Sequence, residues 1–136
     1  MNKKPKELLV TFKKGGAFRA KLLWDKAPKT CEVIVNATPL ETSEVKWGEI
    51  IGEECYFTTD IILDVTENTI HPIPGSISFN PDPKWKAVIF YYGDKIKLTK
   101  TYSKFAQIET NLEDLKKVGK RIEKEGPEGA KITTLE

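Results

Sequence analysis

Within Phe18-Arg-Ala-Lys-Leu-Leu-Trp-Asp-Lys-Ala-Pro-Lys-Thr30 the chain changes its structural period, from that of a strand to that of a helix. Phe18, Ala20 and Leu22 alternate with Arg19, Lys21 and Leu23, the period-2 pattern of a half-buried strand. The strand stops at Asp25 and feeds a helix opening at Pro28. Proline suits a first helical turn because its φ is already set and its missing N–H is not needed there. Cys31, Ile34 and Val35 then follow at i, i+3, i+4 spacing, and the helix is predicted to end before Pro39.

The remaining elements are short. Residues 8–12 form a first strand, and Gly15-Gly16 turns it into a second over 17–24, a hairpin signal. Extended segments follow at 43–47, 54–59 and 61–65, with Gly48 and Gly52 bracketing a turn. His71-Pro-Ile-Pro-Gly75 is stiff and cannot pair inside a sheet. Strands are predicted at 76–79, at 85–92 (closed by Gly93-Asp94), at 104–109 and at 130–135, with a tight polar turn at 80–83. Asn111 is the expected cap of a second helix, 112–125, whose inner stripe is Leu112, Leu115, Val118 and Ile122 and whose stop is Gly126-Pro127. Many short strands and two helices point to a mainly β fold, a closed barrel with helices over its ends. At 136 residues the chain is read as a single domain, 1–136.

Charge excludes several partners. There are 22 basic and 20 acidic residues, and a net +2 is too weak to argue for nucleic acid or a membrane surface. No uncharged apolar run is long enough to span a bilayer, and the charged N-terminus lacks the apolar stretch of a signal peptide, so a cytoplasmic location is expected. Abundant Lys and Glu with one Met and one Gln, Gln107, follow the composition trend of thermophiles. Cys31 and Cys55 have no CxxC spacing and no neighbouring His; they read as buried thiols, with a disulfide between them as the alternative. No metal or cofactor is expected.

The strand–Asp-Lys-Ala-Pro-Lys-Thr–helix junction resembles the opening of the cyclophilin fold. Four later blocks resemble one small prokaryotic branch, the cyclophilin-like proteins of the TM1367 type. They are Trp47-Gly48 with Glu54-Cys-Tyr-Phe57, Pro74-Gly75-Ser-Ile-Ser-Phe79, Ala87-Val-Ile-Phe-Tyr-Tyr-Gly93, and Phe105-Ala-Gln-Ile108. The resemblance implies a cyclophilin-like β-barrel capped by two helices, and no established activity. Two positions depart from the branch: Ser76 where it commonly has Asp, and Asn80 where it commonly has an aromatic residue.

True cyclophilins are peptidyl-prolyl isomerases. Lowering a barrier of ~18–20 kcal/mol takes a guanidinium aimed at the prolyl nitrogen, which lysine does not reproduce. The corresponding region here, 49–59, contains neither His nor Arg. Arg19 is expected to face solvent and Arg121 to lie off the apolar stripe of the second helix. Efficient isomerase activity is therefore not expected, and no catalytic constellation is complete.

The candidate ligand-binding residues are Trp47, Gly48, Tyr56, His71, Gly75, Ser76, Ser78 and Tyr91. Trp47 beside Gly48 is the leading pocket pair; the alternative is that Trp47 plugs the barrel end. Tyr91 must face away from Phe90 and Tyr92. His71 and the Pro-rich loop would rim the barrel mouth, and Ser76 and Ser78 could donate to a ligand carbonyl. The carboxylates Glu49, Glu53 and Glu54 read as a solvated rim. Three function classes follow: a binding module for a small molecule or extended peptide, a weak isomerase or enzyme of other chemistry, and an assembly module for a protein partner, in a monomer or homodimer. Convergent polar groups in a pocket would favour the first, and a strongly shifted pKa at His71 or a buried Glu the second. A large exposed apolar patch would favour the third.

Overall fold

The computed structural model describes residues 4–97 and 102–135. The strands are β1 (Glu7–Phe12), β2 (Ala17–Leu22), β3 (Leu40–Trp47), β4 (Gly52–Thr58), β5 (Ser76–Asn80), β6 (Ala87–Ile96), β7 (Ser103–Ile108) and β8 (Glu128–Leu135). The helices are α1 (Pro28–Ala37) and α2 (Leu112–Glu125). The strands close into an antiparallel barrel in the order β1-β2-β7-β5-β6-β4-β3-β8, so no sheet edge is left among them.

The first hairpin forms as its pattern dictates. β2 alternates exposed and buried residues along its whole length, and Val10 pairs with Phe18 across Gly15-Gly16. The barrel interior is filled by side chains, with Phe12 edge-on to Phe90 at 5.7 Å between centroids and Phe57 tilted against it at 6.1 Å. α2 buries Leu115, Val118 and Ile122 against the barrel, and each such side chain contributes about 1.5–3 kcal/mol. Arg121 lies off that stripe, locked in a bidentate pair with buried Glu128 at 2.7 Å and donating to the Gly15 carbonyl. Arg19 is exposed and pairs with Glu7.

Several expectations needed correction. β2 ends at Leu22; Trp24 leaves the sheet to donate its indole N–H to the Pro5 carbonyl at 2.7 Å. β6 begins at Ala87 because Lys86 adopts φ 46° and bonds back to Asp82. It continues through Gly93-Asp94 to Ile96 because Glu53, at a register shift in β4, accepts from the Lys95 N–H. Residues 61–65 are not a strand: the closed barrel offers no free edge, and Ile62 points into solvent at 82% exposure. Asn111 adopts a left-handed conformation and makes no side-chain cap.

α1 is capped from a distance. Its N-cap residue, Ala27, has no side chain for the task. The Glu67 carboxylate instead accepts from the Lys29 and Thr30 N–H groups and the Thr30 hydroxyl at 2.9–3.1 Å. A carboxylate also complements the positive end of the helix dipole. Glu67→Ala is expected to destabilise the protein by about 1–2 kcal/mol in urea denaturation. Glu67→Gln should cost less, because it keeps one acceptor oxygen. Equal stability of Glu67→Ala and the parent would show that the cap carries no weight.

Candidate functional site

Two strands are buried on both faces. Every residue of β5, and β6 from Ala87 to Gly93, is buried, whereas β1 and β2 alternate. Val88, Phe90 and Tyr92 point into the barrel; Ala87, Ile89 and Tyr91 form a separate cluster with Tyr56 and Ile96 on the outer wall. Tyr91 thus faces away from Phe90 and Tyr92, as strand geometry requires. The register extends this outer layer sideways. Glu54 lies opposite Tyr91, Tyr56 opposite Ile89, and on the other side Ser78 opposite Ile89 and Asn80 opposite Ala87.

A turn closed by hydrogen bonds from Ile51 and Gly52 to the Gly48 carbonyl folds over this layer. Together they frame an open pocket of about 390 Å³ whose walls include Trp47, Tyr56, Trp85 and Tyr102. Tyr56 and Trp85 meet edge to face, 6.1 Å between centroids and 85° between planes. The Trp47 indole donates to the Gly52 carbonyl at 2.8 Å, so it braces the turn and lines the cavity at once. Surface recesses of about 630 Å³ beside residues 62–66 and about 470 Å³ between β1, β3 and β8 contain no buried ionisable side chain.

Glu54 lines the cavity although it is only 5% exposed. Its Oε2 has no hydrogen-bond partner, and burial pushes its pKa up to about 7. The carboxyl rests directly on Gly48, where any β-carbon would overlap it; close approach at Gly48 is real, and what approaches is Glu54. In the layer behind, burial and then the Glu54 charge raise the pKa of Tyr91. The Ser78 hydroxyl pulls weakly the other way, yet neither hydroxyl completes a hydrogen bond.

The predicted residues therefore divide. Trp47, Gly48 and Tyr56 line the cavity, and Tyr91 and Ser78 lie just behind its lining. Gly75, Ser76 and His71 lie off it. Gly75 (φ 92°) joins β6 to β7, its N–H donating to Tyr91 and its carbonyl accepting from Ile108. The Ser76 hydroxyl accepts from the Ile73 N–H at 3.1 Å. His71 is exposed on the irregular segment before Pro72. The cavity itself sits on the outer wall, not in the barrel mouth, because the interior is packed.

The solvated rim also needed correction. Glu49 is exposed, but Glu53 and Glu54 are buried. Glu53 pairs with Lys120 at 2.9 Å and Lys116 at 3.9 Å, and these contacts hold its pKa below the ordinary value against the opposing effect of burial. Sequence reasoning missed Glu54, Trp85 and Tyr102. The available signal was the continuous apolar run of β6, which marks two-sided burial and hence places a lid over its neighbours. Cys31 and Cys55 are free and buried; burial raises both thiols, Cys31 to about 12, which leaves them inert.

Comparison with known proteins adds the following. A family model described as a protein of unknown function, DUF3830, matches residues 10–134. No curated protein matches the chain significantly. The structure of McbB in complex with tryptophan is similar at 15% identity and a TM-score of 0.72, covering 93% of this chain and 44% of McbB. This chain thus spans less than half the length of McbB. The solution structure of the hypothetical protein AF2241 from Archaeoglobus fulgidus is similar at 20% identity and a TM-score of 0.70, covering 98% of each chain. At these identities the likeness is one of fold. Among the described residues no helix is long and apolar enough to cross a membrane.

Proposed function

This chain belongs to the DUF3830 family, and we propose that it is a cyclophilin-like binding module holding a small molecule, or one side chain of an extended peptide, in the outer-wall pocket. One observation carries this: aromatic walls converge on a buried carboxyl that has an unpartnered oxygen. Buried polar atoms are almost always paired, so an unpartnered oxygen on a carboxyl that lines a pocket calls for a ligand group. The cavity volume of about 390 Å³ falls within the usual range of small-molecule sites. McbB, of like fold, was solved with tryptophan, in keeping with a small aromatic ligand.

Trp85 offers the test, because it is 41% exposed and its loss should leave the fold intact. Trp85→Ala is expected to weaken a fluorescence-detected aromatic ligand about tenfold, with the melting temperature nearly unchanged. Unchanged affinity would place the ligand elsewhere.

A second reading has its own observation. A carboxyl titrating near neutrality in a cleft is suited to general acid–base catalysis, and Glu54 is such a group. Prolyl isomerisation of the cyclophilin kind would lack its guanidinium, since neither Arg19 nor Arg121 lines the pocket. Turnover in a chymotrypsin-coupled isomerase assay would overturn that argument.

A further inference from the structure

We propose that the outer-wall pocket selects an organic cation, an ammonium group carried on an apolar or aromatic body. This deepens the pocket assignment above and rests on it. Among the described residues the lining holds two carboxylates, Glu49 and Glu54, and no lysine or arginine. Four aromatic rings, Trp47, Tyr56, Trp85 and Tyr102, complete the walls. Ring faces carry negative charge density and attract cations, most strongly where water is excluded. The rim already displays this chemistry: Lys84 Nζ lies 5.6 Å from the Trp85 centroid.

The alternatives fit less well. An anion would meet Glu54 and Glu49 in the lining, while Lys84, over the Trp85 ring, stands outside it. The Trp47 indole N–H, which could serve an anion, is engaged by the Gly52 carbonyl. A neutral ligand suits the protonated carboxyl but leaves the ionised form uncompensated, whereas an ammonium supplies the ionised form with the opposite charge. The groups facing Glu54 are Tyr91 from β6, Glu49 from the turn, Tyr102 ahead of β7 and Tyr56 on its own strand, with Lys104 farther along the layer beyond Ser78. Burial is the cause of the raised Glu54 pKa, so no neighbouring cation has already claimed the carboxylate. Cation binding takes the ionised form, and affinity should therefore rise with pH through the Glu54 titration.

The test uses three probes of matched shape on the intact chain: phenethylammonium, 2-phenylethanol and 3-phenylpropionate, titrated by calorimetry. At about pH 8 the ammonium is expected to bind at least about tenfold tighter than the alcohol, and the carboxylate weakest. The preference should shrink at about pH 5.5, where Glu54 is protonated. Glu54→Gln keeps the shape and should cut the ammonium preference severalfold, while Trp85→Ala should weaken both. Equal binding of ammonium and alcohol by the parent, or a preference undiminished by Glu54→Gln, would overturn the cation assignment and leave the pocket standing. Failure of all three probes to bind would remove the pocket assignment together with it.

Discussion

Gly119→Ala should destabilise the protein by about 3 kcal/mol, although alanine is the better helix former by about 1 kcal/mol. Gly119 lies where α2 presses on β6, and a β-carbon there would overlap the root of the Tyr92 ring. That ring cannot step aside. It is 1% exposed, and its hydroxyl donates to Glu123 at 2.5 Å on the same helix. Lys120 fixes the helix further, bridging Glu123 at 3.0 Å and Glu53 at 2.9 Å. The helix must lift or tilt, loosening the seats of Leu115, Val118 and Ile122. Guanidinium denaturation measures the loss; a neutral or stabilised variant would show that α2 has slack the packing does not reveal.

Glu54→Gln carries the other large effect, and its sign depends on pH. Glu54 titrates at about 7 when folded against 4.5 ordinarily. The folded state therefore holds this proton more tightly, and stability falls as pH climbs from about 4.5 to about 7. At 1.36 kcal/mol per pH unit the interval amounts to about 3 kcal/mol, fully lost above pH 7. Glutamine removes the penalty. The variant should exceed the parent by up to about 3 kcal/mol at about pH 8 and match it at about pH 4. A stability difference that does not change with pH would mean that Glu54 is solvated. The same substitution should also cut the preference for a cation severalfold, so a gain in stability and a loss of selectivity belong to one carboxyl.

Much of the barrel is legible residue by residue. Phe18-Ala20-Leu22 alternates as a strand must, Gly15-Gly16 turns the hairpin, Pro28 opens α1 and Gly126-Pro127 ends α2. The errors share one origin. Residues 61–65 look like a strand by side chain alone, but a strand needs a partner, and the closed barrel has none to spare. The cap of α1 was likewise out of reach of local pattern, because Glu67 supplies it from a distant segment. Glu53 and Glu54 look like a solvated rim, since a carboxylate cannot announce in sequence that a turn or a lysine of α2 will cover it.

The site follows the same division. Trp47, Gly48 and Tyr56 could be chosen from local pattern, because a Trp–Gly pair and strand alternation are properties of neighbours in the chain. That Glu54, Trp85 and Tyr102 join them was settled only by the register of β4 on β6, by the turn at Asp82 and by the pairing of β7 with β5. Periodicity and turn chemistry act over a few residues, so the chain alone determined the alternation of its first hairpin and the apolar stripe of its second helix, but not which apolar segments find a strand partner. Burial of a charge depends on what crosses it from elsewhere, so tertiary structure alone decided that the pocket lies on the outer wall, with an unpaired carboxyl in it.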